Sequence, residues 1–330
     1  MRIAVLGNGG FGTAMALTLE RAGHSVSLWG HDADYTASIA ATRRNPRYLS
    51  GVELPAAIEV TADADAAVGA AEVVLVAVPT QHVRAVLSGM ADRLAGAAAV
   101  VSLAKGLEQS TGKRPSEILS DVLGAPDRVF VLSGPSHAEE IAHGQPTTVV
   151  VAGDGEQRLR DLQAALQTER FRVYRNGDLL GVELCGALKN VMALAAGIAD
   201  GLGYGDNAKA AILSRGIVEM QRYGLACGAD PQTFFGLAGV GDLAVTAFSR
   251  HGRNRAFGER IGRGETLQQA LASSPKVAEG VWTAEVVGAA SKERGVEMPI
   301  ASAVARVLYE DLPPEDAVRA LMERDPKAEG

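Results

Sequence analysis

Read from the N-terminus, the apolar positions fall into short blocks separated by glycines and polar stretches. Arg2–Leu6 is an apolar run that stops at Gly7, and a helical pattern follows from about Gly10 to Ala22. Ser25–Trp29 reads as a second strand. Glu72–Val78 is a nearly unbroken β-branched run, the signature of a parallel strand covered on both faces. Ala98–Leu103, Arg128–Leu132, Thr147–Ala152 and Phe171–Tyr174 read as strands too, with helical segments such as Gln81–Leu94 and Gly155–Leu166 between them. Alternating strand and helix predicts a doubly wound parallel sheet.

The pattern changes near residue 177. Asn176-Gly177-Asp178 is a turn signal in which Asp178 can cap a helix. Leu179 to Asp200 contains no proline and ends in the glycine-rich stop Gly201-Leu202-Gly203-Tyr204-Gly205. That predicts a single helix about 33 Å long. Further helical segments follow at about Ala208–Tyr223, Thr266–Ala272, Thr283–Arg294, Ile300–Tyr309 and Pro314–Glu323, with no strand among them. The expected organisation is an α/β domain over residues 1–177 and an all-helical domain over 178–330, the last few residues fraying.

A length of 330 residues agrees with two domains. Composition then narrows the class. With 47% hydrophobic and 22% charged residues, a globally disordered chain is excluded. The net charge of −7 argues against a general nucleic-acid binder or a polybasic membrane protein. Cys185 and Cys227 lack CxxC spacing, which indicates neither a disulfide framework nor a cysteine metal site and suits a reducing cytoplasm. The six histidines show no metal-ligand spacing. Ile3–Leu19 is the longest uncharged run, but it contains Asn8 and four glycines and falls short of the roughly 20 apolar residues of a spanning helix. Its apolar part before Gly7 is too short for a signal-peptide core. No integral membrane segment is expected.

Gly7-Asn8-Gly9-Gly10-Phe11-Gly12 fits G-x-G-x-x-G between the first strand and the first helix. Gly7 permits a tight turn, Gly9 lets backbone approach a pyrophosphate, and Gly12 allows close helix–strand packing. The helix N-terminus offers amide donors to phosphates. This makes the first domain a Rossmann-type dinucleotide domain. Its nicotinamide cofactor is left open by the second strand end. Asp32, about 20 positions beyond Gly12, would bind the 2′-hydroxyl of NAD. His31 would instead meet a 2′-phosphate, and both residues also read as a solvated loop.

Lys189-Asn190 carries the most chemistry. On a helix, Lys189 is surrounded by Cys185, Gly186, Met192 and Ala193, a small apolar face without a carboxylate. A lysine buried there is usable as a proton donor or acceptor; the bland reading is a stem that crosses the core to reach solvent. Three further segments suit an anion. Lys105 follows a buried strand, at the carboxyl edge where doubly wound folds bind ligands. Gly134-Pro135-Ser136-His137-Ala138-Glu139 follows another, and the Ser136 to Glu139 spacing reads as a capping box. The cluster Arg250-His251-Gly252-Arg253-Asn254-Arg255 suits a phosphate better than nucleic acid, since no aromatics interleave. Asp242 reads as a helix N-cap.

The segments GNGGFGTA, SLAKGLE, LSGPSHAEE, ELCGALKNVMALAAGIADGLGYGDNAKAA, GLAGVGDL, GRNR and KVAEG, in this order and spacing, resemble NAD(P)-dependent glycerol-3-phosphate dehydrogenases of the bacterial type. The resemblance implies a cytoplasmic enzyme interconverting dihydroxyacetone phosphate and sn-glycerol 3-phosphate for glycerophospholipid synthesis. A small phosphorylated substrate and NADP or NAD come with it; the second strand's end at Gly30-His31, which lacks an acid, favours NADPH, and a homodimer is expected. It places Lys189 as proton donor and acceptor, and Lys105, Gly134, Ser136, Asn190, Asp242, Thr246, Arg253 and Asn254 at substrate contacts. Gly10, Phe11, His31, Lys105, Ala138, Arg253, Val277 and Glu279 fall at cofactor contacts, beside the glycines of the turn. Gly10 and Gly252 stand where that family often has serine, and Phe11 where a larger aromatic is common. The readings set against it are a related two-domain dehydrogenase of another small phosphorylated or acyl substrate, and a non-catalytic NAD(P) sensor.

Overall fold

Strands β1 (Arg2–Leu6), β2 (Ser25–Trp29), β3 (Arg44–Asn45), β4 (Leu49–Glu53), β5 (Ile58–Thr61), β6 (Val73–Val76), β7 (Ala99–Ser102), β8 (Val129–Ser133), β9 (Thr147–Gly153) and β10 (Phe171–Asn176) all lie before residue 177. They come from a computed structural model that describes residues 1–249, 252–273, 278–326 and 328. The chain divides into two compact units, Met1–Lys105 with Lys113–Glu183, and Gly106–Gly112 with Leu184–Gly330. The first unit thus ends six residues beyond the composition change at 177, and residues 106–112 group with the second unit.

Eight strands form one sheet in the order β10-β9-β8-β7-β6-β1-β2-β5. The order reverses at β1, which pairs in parallel with β2 on one side and β6 on the other. Such a switch point is where doubly wound sheets open a crevice beyond the strand ends. Successive residues serve opposite faces: Ile3, Val5, Val73, Leu75 and Val101 belong to one core cluster, and Ala4, Leu6, Val74, Val76 and Val100 to the other. Burial on both faces is why these strands read as unbroken apolar runs.

The sheet is not wholly parallel. β8 and β9 run antiparallel, and β10 then pairs in parallel with β9. Between β8 and β9 the chain has only the short helix Ala138–Ala142, less crossover than a parallel return commonly uses. The expected helix Gln81–Leu94 is interrupted: an α-helix covers Thr80–Ser88, Gly89 caps it, and a 3₁₀ segment follows at Ala91–Gly96. The β3–β4 hairpin, β5 and the helix Ala33–Thr42 occupy a stretch that hydrophobic patterning left unassigned.

The helix Leu179–Gly201 starts as expected: the Asp178 carboxylate accepts the Gly181 amide at 2.8 Å. One turn on, Glu183 is buried and receives the Ser116 amide (2.8 Å) and the Arg114 guanidinium (2.6 Å). Burial pushes the Glu183 pKa up, against the pull of Arg114 and Ser116. By length and composition this helix could cross a bilayer, but 83% of its most apolar window is buried inside the protein.

In the second unit no described residue forms a strand, and two helices meet backbone to backbone. A Cβ on Gly197 would stand 2.0 Å from the Arg255 carbonyl oxygen, and one on Gly201 2.2 Å from that of Glu259. In return, a Cβ on Gly258 would stand 2.2 Å from the Leu194 oxygen, and one on Gly262 2.3 Å from that of Ile198. Glycine four residues apart on both helices therefore sets Arg253–Gly262 directly against Leu179–Gly201. Arg255, paired with Asp200 at 2.8 Å and Glu259 at 3.0 Å, ties the same crossing.

Candidate active site

In the first unit the glycine turn sits at the switch point. Gly7 has φ +114°, and a Cβ there would come within 2.6 Å of the Ala77 carbonyl beyond β6. A Cβ on Gly12 would fall 1.9 Å from the Gly7 oxygen. Gly9 differs: nothing lies within 4 Å of where its Cβ would be. The helix Gly10–Arg21 has no side-chain cap and no acid in its first turn, so its N-terminal amides are unclaimed by a side chain and suit an anion. This cradle fits a dinucleotide pyrophosphate. Phe11 and Ala138 are half-buried against the same core.

The turn is braced by two asparagines. Asn8 donates to Thr36 Oγ1 at 3.0 Å, and its carbonyl accepts the Asn45 amide at 2.8 Å. At the end of β2, His31 is exposed. Asp32 caps the helix Ala33–Thr42 by accepting the Tyr35 amide at 3.0 Å, and its other oxygen lies 3.5 Å from Arg47.

Lys105, Gly134 and Ser136 come together at the edge of β7 and β8. Lys105 Nζ donates to the Gly134 carbonyl (2.9 Å) and Ser136 Oγ (3.1 Å), and Ser136 Oγ donates to the same carbonyl (2.8 Å). This corrects the capping-box reading. The helix Ala138–Ala142 has His137 at its N-cap and no side-chain cap. Gly134, at φ +122°, turns the chain so that the serine faces its own loop and the lysine.

In the second unit, Lys189 is 6% exposed and its ammonium meets a partner from outside its helix. Lys189 Nζ lies 2.6 Å from Asp242 Oδ1 and 2.7 Å from Thr246 Oγ1. Thr246 in turn donates to the Asp242 carbonyl at 2.6 Å. Asp242 opens the helix Asp242–Phe248, after a π-helical turn over Leu237–Gly241. Gly241 holds the N-cap instead, so the Asp242 side chain serves the lysine rather than the helix. The site is a buried ammonium held by a carboxylate and a hydroxyl, a proton-bearing cation fixed in one position.

Asn190 and Asn254 are both buried. Asn254 Oδ1 accepts the Gly280 amide at 3.0 Å, and a Cβ on Gly280 would stand 2.6 Å from the Asn190 carbonyl oxygen. Gly280 thus joins the two asparagines. In the sequence it reads only as a small residue after Glu279. Glu279 opens the helix Glu279–Glu293, earlier than the expected Thr283. Arg253 is exposed at the first position of its helix and makes no ion pair among the described residues. Val277, Arg250 and His251 lie outside the described residues.

Comparison with known proteins gives one consistent answer. The N-terminal family model of NAD-dependent glycerol-3-phosphate dehydrogenase matches residues 2–159, and the C-terminal model matches 178–319. A glycerol-3-phosphate dehydrogenase [NAD(P)+] of Salinibacter ruber is 48% identical over 99% of this chain and 96% of its own. One from Chlorobium phaeobacteroides is 47% identical over 100% and 99%. The crystal structure of glycerol-3-phosphate dehydrogenase from Coxiella burnetii superposes with a TM-score of 0.92 at 38% identity, covering 98% of this chain and 99% of that one.

Proposed function

Because the chain belongs to the NAD-dependent glycerol-3-phosphate dehydrogenase family, we propose that Lys189, held by Asp242 and Thr246, is the proton donor in its reduction of dihydroxyacetone phosphate to sn-glycerol 3-phosphate. The protein is an NAD(P)-dependent oxidoreductase, and its product is the backbone of glycerophospholipids. The observation that carries the residue assignment is the Lys189 ammonium, buried yet 2.6 Å from Asp242 and 2.7 Å from Thr246.

The chemistry follows from that geometry. When bound, the reduced nicotinamide supplies a hydride to C2 of the substrate. The ketone oxygen gains negative charge as the C–H bond forms, and Lys189 Nζ hands it a proton, giving the secondary alcohol. Asp242 holds the ammonium in place and Thr246 fixes Asp242 through its carbonyl. Proton delivery of this kind contributes about 10²–10⁴-fold. Asn190 and Asn254 offer amides to the substrate oxygens, and Arg253 takes the phosphate with a two-pronged fork. In the first unit, the backbone of Gly7, Gly9, Gly10, Phe11 and Gly12 would hold the cofactor pyrophosphate and His31 would flank its adenosine ribose. Lys105, with Gly134 and Ser136, supplies a second cation for an anionic ligand in the first unit; for the cofactor the family resemblance adds Ala138 there, and Arg253 and Glu279 in the second unit. The enzyme works as a homodimer in the cytoplasm.

Loss of reduced-nicotinamide absorbance on adding dihydroxyacetone phosphate tests the reading. Turnover with other ketones but not with this one would favour a related dehydrogenase. Nucleotide binding without turnover on any ketone would favour a sensor, which needs no buried lysine–aspartate pair.

A further inference from the structure

Asn45 fastens the β3–β4 hairpin to the glycine turn. Its amide donates to the Asn8 carbonyl and to Thr13 Oγ1, both at 2.8 Å, and its oxygen accepts the Tyr35 hydroxyl at 2.6 Å. Arg47 stands two residues further on. Its amide donates to the Tyr35 hydroxyl at 3.1 Å, and its guanidinium lies 4.1 Å from the Tyr35 ring centroid and 5.8 Å from that of Tyr48. The side chain is 55% exposed, and Nη1 is 3.5 Å from Asp32. Arg47 is therefore braced at the end of β2, where dinucleotide folds take the adenosine ribose.

Asp32 occupies the place of the acid that in an NAD-specific fold accepts the ribose 2′-hydroxyl. Here it is engaged on both sides, by the Tyr35 amide and by Arg47. An exposed ion pair adds little stability, so a phosphate dianion can replace Asp32 at the guanidinium with little loss. A planar cation stacked on tyrosine presents its N–H edge sideways, held at rest by Tyr48 and Asp32, in the geometry that suits two phosphate oxygens. We infer that Arg47 is the specificity-determining residue for the 2′-phosphate of NADP(H), with Asp32 as its resting counter-ion. This rests on reading the glycine turn as a dinucleotide cradle.

The test is calorimetric titration of the full chain with adenosine 2′,5′-bisphosphate and with adenosine 5′-monophosphate, which needs no turnover. The native protein should bind the bisphosphate at least about 10-fold tighter. Arg47→Gln should abolish that margin and leave the monophosphate unaffected, and Arg47→Lys should keep part of it. Asp32→Asn, which retains a good helix cap, should widen it. In steady state Arg47→Gln should lower kcat/KM for NADPH by about 10- to 150-fold and leave NADH unchanged. Equal loss on both nucleotides, or none, overturns the inference. Turnover of dihydroxyacetone phosphate separates it from the reaction: an inactive chain that still discriminates through Arg47 keeps this inference and sinks the reaction, and an active chain without discrimination does the reverse.

Discussion

The ammonium of Lys189 and the carboxylate of Asp242 are 2.6 Å apart although 53 residues separate them in the chain. Both side chains are almost fully buried. Removing one charge from such a pair strands the other, at a cost of about 3–5 kcal/mol. We predict that Lys189→Met lowers kcat by about 10²–10⁴-fold while cofactor affinity persists. Asp242→Asn should lower both activity and melting temperature. The double variant should regain melting temperature over Asp242→Asn without regaining activity. Equal melting of the single and double variants would show that the two charges are not energetically coupled.

Arg253 and Arg255 are near neighbours with opposite fates. Arg255 is paired with Asp200 and Glu259, whereas Arg253 is exposed at the start of the same helix. A charge-assisted hydrogen bond to phosphate is worth about 1.5–3 kcal/mol, or about 10- to 150-fold. At saturating cofactor, Arg253→Ala should lower kcat/KM for dihydroxyacetone phosphate by that factor beyond any loss on unphosphorylated dihydroxyacetone, and the KM for the cofactor should rise as well. Lysine should rescue it only partly. Equal losses on both substrates would move the phosphate anchor to Lys105 and Ser136.

Much of this was legible because the period of the pattern matches the burial. β1, β6 and β7 feed both core clusters, so their apolar runs are unbroken and conspicuous. Glycine turn, long helix and Lys189 face were readable for the same local reason. The carboxylate facing Lys189 came only with the family resemblance, which puts Asp242 at a substrate contact, because no spacing within a helix reports a residue 53 positions away. The antiparallel β8–β9 pairing also escaped, since direction depends on the crossover and not on the strand itself. Ser136 shows the converse failure: a correct capping-box spacing whose hydroxyl is diverted to Gly134 and Lys105. Arg47 gave no signal at all, being placed by Asn45 and Tyr35.

The helix crossing that carries both Lys189 and Asn254 depends on missing side chains. A Cβ on Gly258 would meet the Leu194 carbonyl oxygen at 2.2 Å, and backbone cannot yield as a flexible side chain can. Gly258→Ala should destabilise by about 1–3 kcal/mol and lower kcat by separating the two helices. Gly96→Ala, where nothing lies within 4 Å, serves as the control and should change melting little. Comparable melting of the two variants would show that the crossing tolerates separation.

Glu219 links stability to pH. It is buried and accepts the Ile300 amide (2.8 Å) and the Ala301 amide (3.2 Å), capping the helix Pro299–Tyr309. Burial raises its pKa from 4.5 to about 7, outweighing those hydrogen bonds and the charges of Arg222 and Arg324. Between these two values the folded chain holds a proton that the unfolded chain has released. The unfolded state then binds fewer protons, so stability falls as pH rises through this window, by up to about 3 kcal/mol in all. Glu183, also pushed up by burial, contributes in the same direction. Glu219→Gln has no proton to lose and keeps an oxygen for one of the amides. Its melting temperature should therefore decline less than the native protein's between pH about 5 and 8, and the two curves should converge on the acid side. Parallel curves across the whole range would show that Glu219 ionises in the fold much as it does in the open chain, with the two amides compensating its burial in full.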